Sequence, residues 1–529
     1  MKGERTILAI LLLAGGCPLA AKAQEAVLRL KAGSAPLMGD AGVGGVRRTD
    51  WNRRHRIIQF RVRPAESELA MLRAAGFRLL GYVPDNAVLV SGPDGFDFSG
   101  WPVLRTGELA VTEKVSELLG RHDSGAALVE FHADVADWTA RLIVLQLGLE
   151  ISENPDLGSH HLMVRGPAAR VRSLAEWDEV ARVFPAADEL LRGERVIACE
   201  HGGLGVEGLQ AAANLVAMYG DGWDGPGLGA ASLYYYFGPM PMGLPVADVQ
   251  RELRAALQAW SSVVQLHFSQ SYTARLRRQV EFAWFTESHG DGYSFDGPGG
   301  VLAHSFYPPP NAEPVAGDLH FDAAEPWKTG SDIDIFSIAL HELGHVLGLG
   351  HNDDPSSVMY PYYRRVNGLR PADIVEIRKL YAAVTTTVEP GVPVVPPVVP
   401  VVPPLIPAMP VNPVVPVSPI VPSTPAAPVP APAVPTGDKT APSVTITAPA
   451  SAVSITSASS ITVRGVATDN TGVVKVSWNS SAGSGADAVG TASFTAGPIA
   501  LYVGINTITV RAWDAAGNQS WRSMTVTRK

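Results

Sequence analysis

The run His341-Glu342-Leu343-Gly344-His345-Val346-Leu347-Gly348-Leu349-Gly350-His351 admits few conformations if its three histidines are to meet. Spaced four apart, His341 and His345 stack on one face of an α-helix, where two imidazoles can grip one ion. Gly348 then lets the backbone leave the helix at positive φ, a conformation other residues resist. That turn carries His351 round to the first two. Three neutral imidazoles leave a fourth tetrahedral position open to water, which separates a catalytic zinc from a structural one. Glu342 lies beside the first ligand and is placed to take a proton from that water. Five fixed residues at these offsets arise by chance in a chain this long in fewer than about one case in a thousand. Incidental histidines are therefore a poor account of the run.

Met359 follows in Ser-Val-Met-Tyr-Pro, and with it the segment resembles the metzincin peptidases. Upstream the chain reads His289-Gly-Asp291, then Asp296-Gly297-Pro-Gly299-Gly-Val301-Leu-Ala-His304-Ser-Phe, then Gly317-Asp318-Leu-His320-Phe-Asp322-Ala-Ala-Glu325. These segments resemble the matrixin branch, the matrix metalloproteinase-like enzymes. The resemblance implies a structural zinc on His289, Asp291, His304 and His320. Three His and one Asp form a closed set with no room for a reactive water. It also implies calcium at Asp296, Asp322 and Glu325, with the carbonyls of Gly297, Gly299 and Val301, and allows a second calcium at Asp318. A tight turn rich in carboxylate and carbonyl oxygens suits that hard cation. The loop between His304 and His320 is longer than the family's usual one, so its carbonyl ligands stay unassigned. Met359 is expected as an apolar floor beneath the imidazoles. Pro361, Tyr362 and Tyr363 are expected to wall a pocket for hydrophobic residues after the cut. Of the 13 histidines, the last six all fall in these two clusters. The other seven, including His160 and His161, carry no assignment.

The resemblance covers about residues 205–385 and implies an α+β domain, a twisted sheet with the active-site helix behind it. Strands are expected at Ser232–Phe237, from Leu266, and at Glu281–Phe285. A helix is expected over Val246–Val263, where Val249, Leu253, Leu257 and Trp260 share a face. A closing helix is expected over Pro371–Ala382, with Pro at its first turn.

At 529 residues the chain predicts several domains. A net charge of −9 argues against a nucleic-acid partner. Lys2, Arg5, the apolar run Ile7–Ala14 and Ala21-Lys22-Ala23 read as a signal peptide over 1–23, with an exported product. The alternative is a lipid anchor at Cys17. The apolar run is too short to remain as a transmembrane span. Cleavage after Ala23 leaves Cys199 as the one cysteine and excludes an internal disulfide.

Residues 24–204 carry strand, helix and strand twice over: Arg56–Arg63, Ala65–Gly76 and Ala87–Pro93, then Ala127–His132, Val135–Gly148 and His161–Pro167. The first copy resembles the propeptides of secreted subtilisin-type proteases. This implies an α+β pro-region that assists folding and blocks the cleft; the alternative is a retained binding or spacer domain. The PRCGxPD-like motif by which animal matrixins hold latency is absent. Cys199, just before the catalytic region, can donate a thiolate to zinc, or be an incidental thiol. Proline-rich repeats over 386–437 predict an extended linker. Alternating runs over 438–529, such as Ser460-Ile-Thr-Val-Arg and Val473–Trp478, predict an all-β sandwich. It resembles bacterial immunoglobulin-like domains and is expected either to bind a surface or matrix ligand or to act as a spacer. The expected function is a secreted zinc-dependent endopeptidase acting on protein or peptide substrates. The alternative is an exported adhesion protein that retains the fold without turnover.

Overall fold

The computed structural model describes residues 28–31, 33–35, 47–50, 52–84, 86–120, 126–154, 156–194, 196–199, 222–224, 228–297, 300–309, 311, 313–331, 333–384, 438, 440–449, 453–480, 485–501, 503–516 and 518–529. The signal peptide with Cys17, the 386–437 linker and Gly299 lie outside these residues. Two compact units emerge, 1–192 with 196–383, and 193–195 with 384–529. No helix among the described residues is long and apolar enough to cross a membrane.

The N-terminal part of the first unit holds two four-stranded antiparallel sheets with the same strand order. One runs Arg78–Val83, Ala87–Pro93, Arg53–Phe60, Val103–Gly107; the other runs Glu150–Ser152, His161–Arg165, Ala126–Phe131, Val180–Pro185. In each, the first strand in sequence lies inside and is followed by a helix, Glu66–Ala74 or Asp137–Gln146. Leu69 and Leu72 anchor the first helix, and Ala140, Ile143 and Val144 the second. Apolar residues at helical spacing turn one face to the sheet. Between the sheets, His55 contacts Asp178 through Nδ1 at 2.7 Å and Asp134 through Nε2 at 2.8 Å. Its ring stacks on His132, with centroids 4.2 Å apart. Burial alone would lower the pKa of His55, but the two carboxylates outweigh it and raise the group to about 9.

Residues 231–383 build a five-stranded sheet in the order Leu266–Gln270, Ala231–Phe237, Gln279–Phe285, Asp318–Asp322, Ala303–Ser305. The first four are parallel and the last is antiparallel. The helix Val246–Ser261 buries Val249, Leu253, Leu257 and Trp260, and Trp260 Nε1 donates to Leu340 O of the helix Ile335–Val346 at 3.0 Å. That second helix is apolar almost all round, and every residue but Phe336 is buried. Asp334 caps its start, accepting from Ser337 N at 3.0 Å. At its end Trp223 Nε1 satisfies Val346 O at 2.8 Å, and Tyr381 Oη satisfies Leu347 O at 2.9 Å. The closing helix is shorter than the sequence predicts, Pro371–Ile377. Beyond it Tyr381 and Ala383 bridge to Gly229 and Val264, so strand-like contacts draw the chain off the helical path.

The second unit contains a three-stranded sheet, Ser443–Ala448, Ser460–Thr468 and Ser493–Ala500, and a five-stranded one, Val453–Thr456, Gln519–Arg528, Gly504–Asp514, Val473–Ser480 and Gly485–Asp487. Val463, Phe494, Ile508, Val510 and Val526 share one core. Along Ser460–Thr468 buried and exposed residues alternate from Val463 on, as a half-buried strand requires. The strands at 453–456, 485–487 and 493–500 escape the sequence reading, because their apolar alternation is short or broken by Gly and Pro.

Candidate metal centres

The helix Ile335–Val346 presents His341 and His345 one turn apart, and Gly348 follows at φ +105°. Leu349 N then donates to Gly344 O at 2.8 Å, and His351 returns to the first two rings. Ligand atoms of His341, His345, His351 and Cys199 all lie within 4.8 Å of one another, and all four residues are buried. The ring tautomers are set from behind: His341 Nδ1 donates to Val358 O at 2.7 Å and His345 Nδ1 to Leu349 O at 2.8 Å. Both Nε2 lone pairs therefore face the cluster. His341 Nε2 is buried without a hydrogen-bond partner, the state expected of an atom reserved for a metal. Burial holds the His341 pKa down to about 4, so the ring is neutral and able to ligate near pH 7. The donor set fits zinc.

Glu342 is fully buried, and burial pushes its carboxyl up to about 7. Ser305 Oγ donates to Oε2 at 2.5 Å, while Tyr363 Oη and Cys199 Sγ, the latter at 3.8 Å, both approach Oε1. Tyr363, expected as a pocket wall, thus also meets the carboxylate. Ser305 was not singled out from sequence, although it adjoins His304. Beneath the helix, Met359 packs so closely that a Cβ on Gly344 would lie 2.2 Å from its sulfur. The Met turn hangs on the buried carboxylate of Asp373, which accepts Val358 N at 3.0 Å, Arg370 N at 2.7 Å and the Ser357 hydroxyl. Asp373 also escaped the sequence reading, since its partners lie up to 16 residues away.

The N-terminal region covers this centre. Ile197–Ala198 pairs antiparallel with Tyr362–Tyr363, and Cys199 N donates to Pro361 O at 2.9 Å. Cys199 Sγ stands 3.9 Å from His345 Nε2; a thiolate and an imidazole sharing a tetrahedral zinc lie about 3.6 Å apart. His161 Nδ1 meets Tyr362 Oη at 2.6 Å, and Tyr360 Oη donates to Pro185 O at 2.9 Å. His161 has no role in the sequence reading, because its partner lies 201 residues on.

The second cluster joins His289, Asp291, His304 and His320. Asp291 Oδ2 lies 2.7 Å from His289 Nε2, 2.8 Å from His304 Nε2 and 2.9 Å from His320 Nδ1. His289 Nε2 stands 3.4 Å from His304 Nε2 and 3.2 Å from His320 Nδ1. Bonds of 2.0–2.1 Å to one tetrahedral zinc separate two nitrogens by about 3.3 Å, so this donor set also fits zinc.

The expected calcium residues are gathered less tightly. Asp296 Oδ1 accepts Val301 N at 2.9 Å, and Asp322 Oδ2 accepts Gly297 N at 3.1 Å, which closes the loop. Burial, and then Asp296, raise the pKa of Asp322. Glu325 is buried close by in sequence. These three are not among the groups whose ligand atoms converge within 4.8 Å among the described residues. Asp318 is pushed up to about 8 by burial and by the charge of Glu281.

Three stretches match known families. Residues 229–382 match the family described as Matrixin, residues 25–99 a domain of unknown function, and residues 442–529 domain B of glucodextranase. By this match residues 229–382 form a domain of the matrixin type, within the metzincins. Karilysin of Tannerella forsythia is 39% identical over 151 residues, covering 28% of this chain and 31% of that protein. Macrophage metalloelastase of Rattus norvegicus is 42% identical over 155 residues, covering 28% and 32%. Matrilysin of Felis catus is 42% identical over 144 residues, covering 26% and 53%. The matched stretch thus spans about a third to a half of the relatives' own lengths.

Proposed function

We propose that this chain is an exported zinc endopeptidase, made as a precursor whose N-terminal region covers the cleft. The observation that carries the reading is the convergence of three buried imidazoles beside a buried glutamate. His341, His345 and His351 hold the catalytic zinc, with His289, Asp291, His304 and His320 holding a structural one. Asp296, Asp322 and Glu325, with the Gly297, Gly299 and Val301 carbonyls, hold calcium, and Asp318 is the seat of a second. When bound, the catalytic zinc polarises the peptide carbonyl and acidifies the attacking water. Glu342 takes the proton from that water and hands it to the leaving amine. Tyr362 and Tyr363 receive the hydrophobic side chain that follows the cut. Met359 supports the histidines from below through Gly344.

The same geometry supports a latent precursor. Cys199 occupies the fourth position, while Cys199 and Tyr363 hold one oxygen of Glu342 and Ser305 the other. The sheet over 126–185 braces this plug against Tyr360 and Tyr362, the task a subtilisin-type propeptide performs. The C-terminal sandwich, on its proline-rich tether, serves to hold the enzyme at a surface or matrix polymer.

The test is casein or gelatin hydrolysis by the purified exported protein before and after limited proteolysis, beside Glu342→Ala and a chelator control. Activity that appears on processing and vanishes with variant and chelator is expected. Zinc-loaded protein that cuts nothing in any processed form would overturn the reading. For the plug, Cys199→Ala should give a precursor that hydrolyses peptide without processing; unchanged latency would remove Cys199 from it.

A further inference from the structure

One strong interaction beside the metal centre plays no part in peptide hydrolysis as described. Asp353 lies two residues beyond His351, and its carboxylate accepts Lys31 Nζ at 2.7 Å. Arg182 grips the same carboxylate through Nη2 at 2.5 Å and Nε at 3.2 and 3.3 Å. All three side chains are less than a tenth exposed. The two cations come from separate elements of the N-terminal region, Lys31 from the turn after Leu28–Leu30 and Arg182 from the strand Val180–Pro185. Asp353 follows His351 by two residues in the same loop, which places this contact at the edge of the centre.

The next residue behaves differently. Asp354 serves its own loop, accepting Ser356 N at 2.7 Å. Among the described residues, the hydrogen-bond and ion-pair partners of Asp353 lie in the N-terminal region. The catalytic domain thus keeps at its metal centre a carboxylate that its own fold does not employ. Once the covering region departs, that carboxylate must be hydrated or must take another cation. The forked approach of Arg182 shows that a guanidinium fits there with two nitrogens engaged, the geometry in which arginine outdoes lysine.

We propose that Asp353 is a specificity-determining residue of the processed enzyme, taking an arginine, and less strongly a lysine, of the substrate into the place that Arg182 and Lys31 fill in the precursor. This rests on the reading that the N-terminal region leaves the cleft.

The experiment uses the processed full chain carrying Glu342→Ala, loaded with zinc. Its affinity is measured for fluorescent peptides identical except for Arg, Lys or Gln scanned along positions flanking a central Leu. At one position Arg should bind roughly five- to tenfold more tightly than Gln, with Lys between. Asp353→Asn should erase that preference and Asp353→Glu should keep part of it. Equal binding of Arg and Gln peptides at every position, or a preference that survives Asp353→Asn, overturns the proposal. Absence of binding by any peptide overturns it too, since Asp353 then takes no cation from a substrate. Casein hydrolysis by the wild-type chain reads the peptidase proposal separately. A processed enzyme that cuts casein but ignores Arg loses only the role of Asp353, whereas selective binding without turnover loses only the peptidase reading.

Discussion

The two histidine clusters of the matrixin-type domain use similar donors and differ in where the fourth comes from. At 289–320 all four ligands belong to one domain, and the Asp291 carboxylate, within 2.9 Å of three imidazole nitrogens, completes the set. At 341–351 the domain supplies three, and the fourth group, Cys199, arrives on a strand from the N-terminal region. A centre closed by its own fold stays closed. A centre closed by a separate region can be opened by removing that region. On the proposed assignment, the difference between a structural and a chemical metal thus lies in the ownership of one ligand.

The sharpest way to break this contrast is Glu342→Ala. Turnover of the processed enzyme should fall by roughly 10²- to 10⁴-fold while zinc per chain stays unchanged. Retained turnover would erase the chemical distinction between the clusters. Asp291→Ala should act in the opposite sense, releasing one zinc equivalent. It should lower stability by about 3–5 kcal/mol, the range for breaking a buried pair, as read by metal content and denaturant unfolding. Cys199→Ala, by comparison, should leave metal content and stability nearly as they were.

A third prediction reaches the contrast through the covering region. His55 has a folded pKa of about 9, above the usual histidine value of about 6.5. Its contribution is full below the unfolded pKa and is lost as pH rises through the folded one. Denaturant unfolding of the precursor should therefore show on the order of 3 kcal/mol less stability above pH 9 than near pH 6. His55→Gln should flatten that dependence, and a variant with the wild-type pH slope would clear His55 of the role. A smaller loss of stability than for Asp291→Ala or from the titration of His55 is expected for Gly344→Ala. The added methyl meets Met359 beneath the first cluster, which should cost about 1–3 kcal/mol and leave zinc at the second cluster in place. A thermal melt with metal analysis decides it.

What the sequence made legible follows the range of the interactions. His341, His345, Gly348 and His351 could be placed because a helix and one positive-φ turn fix their geometry within eleven residues. The His289 set was legible only through its likeness to matrixins, since its ligands come from a loop and two strands whose pairing the spacing does not reveal. The helices at 66–74, 137–146 and 246–261 were visible in their apolar spacing. Ser305, Asp373, His161 and Asp353 were not, because each acquires its meaning from a partner that only the tertiary fold brings near. Lys31 and Asp353, 322 residues apart, are the extreme case. The end of the closing helix was misjudged for the same reason: Tyr381 and Ala383 answer to Gly229 and Val264 rather than to local propensity.

The pairing of Ile197–Ala198 with Tyr362–Tyr363 involves only two residues on each side, and by itself such a pair is too small to join two separate molecules. Here both halves belong to one polypeptide, so their meeting is a first-order event governed by effective concentration. Dilution leaves such an intramolecular encounter untouched, whereas an inhibitor supplied as a separate molecule would be lost as the protein spreads. On the proposed reading every copy also carries one blocker for one centre, so no imbalance of synthesis leaves a fraction uncovered. Cutting the chain between 199 and 229 changes the kinetics at once: the encounter becomes second-order, and its outcome then depends on concentration.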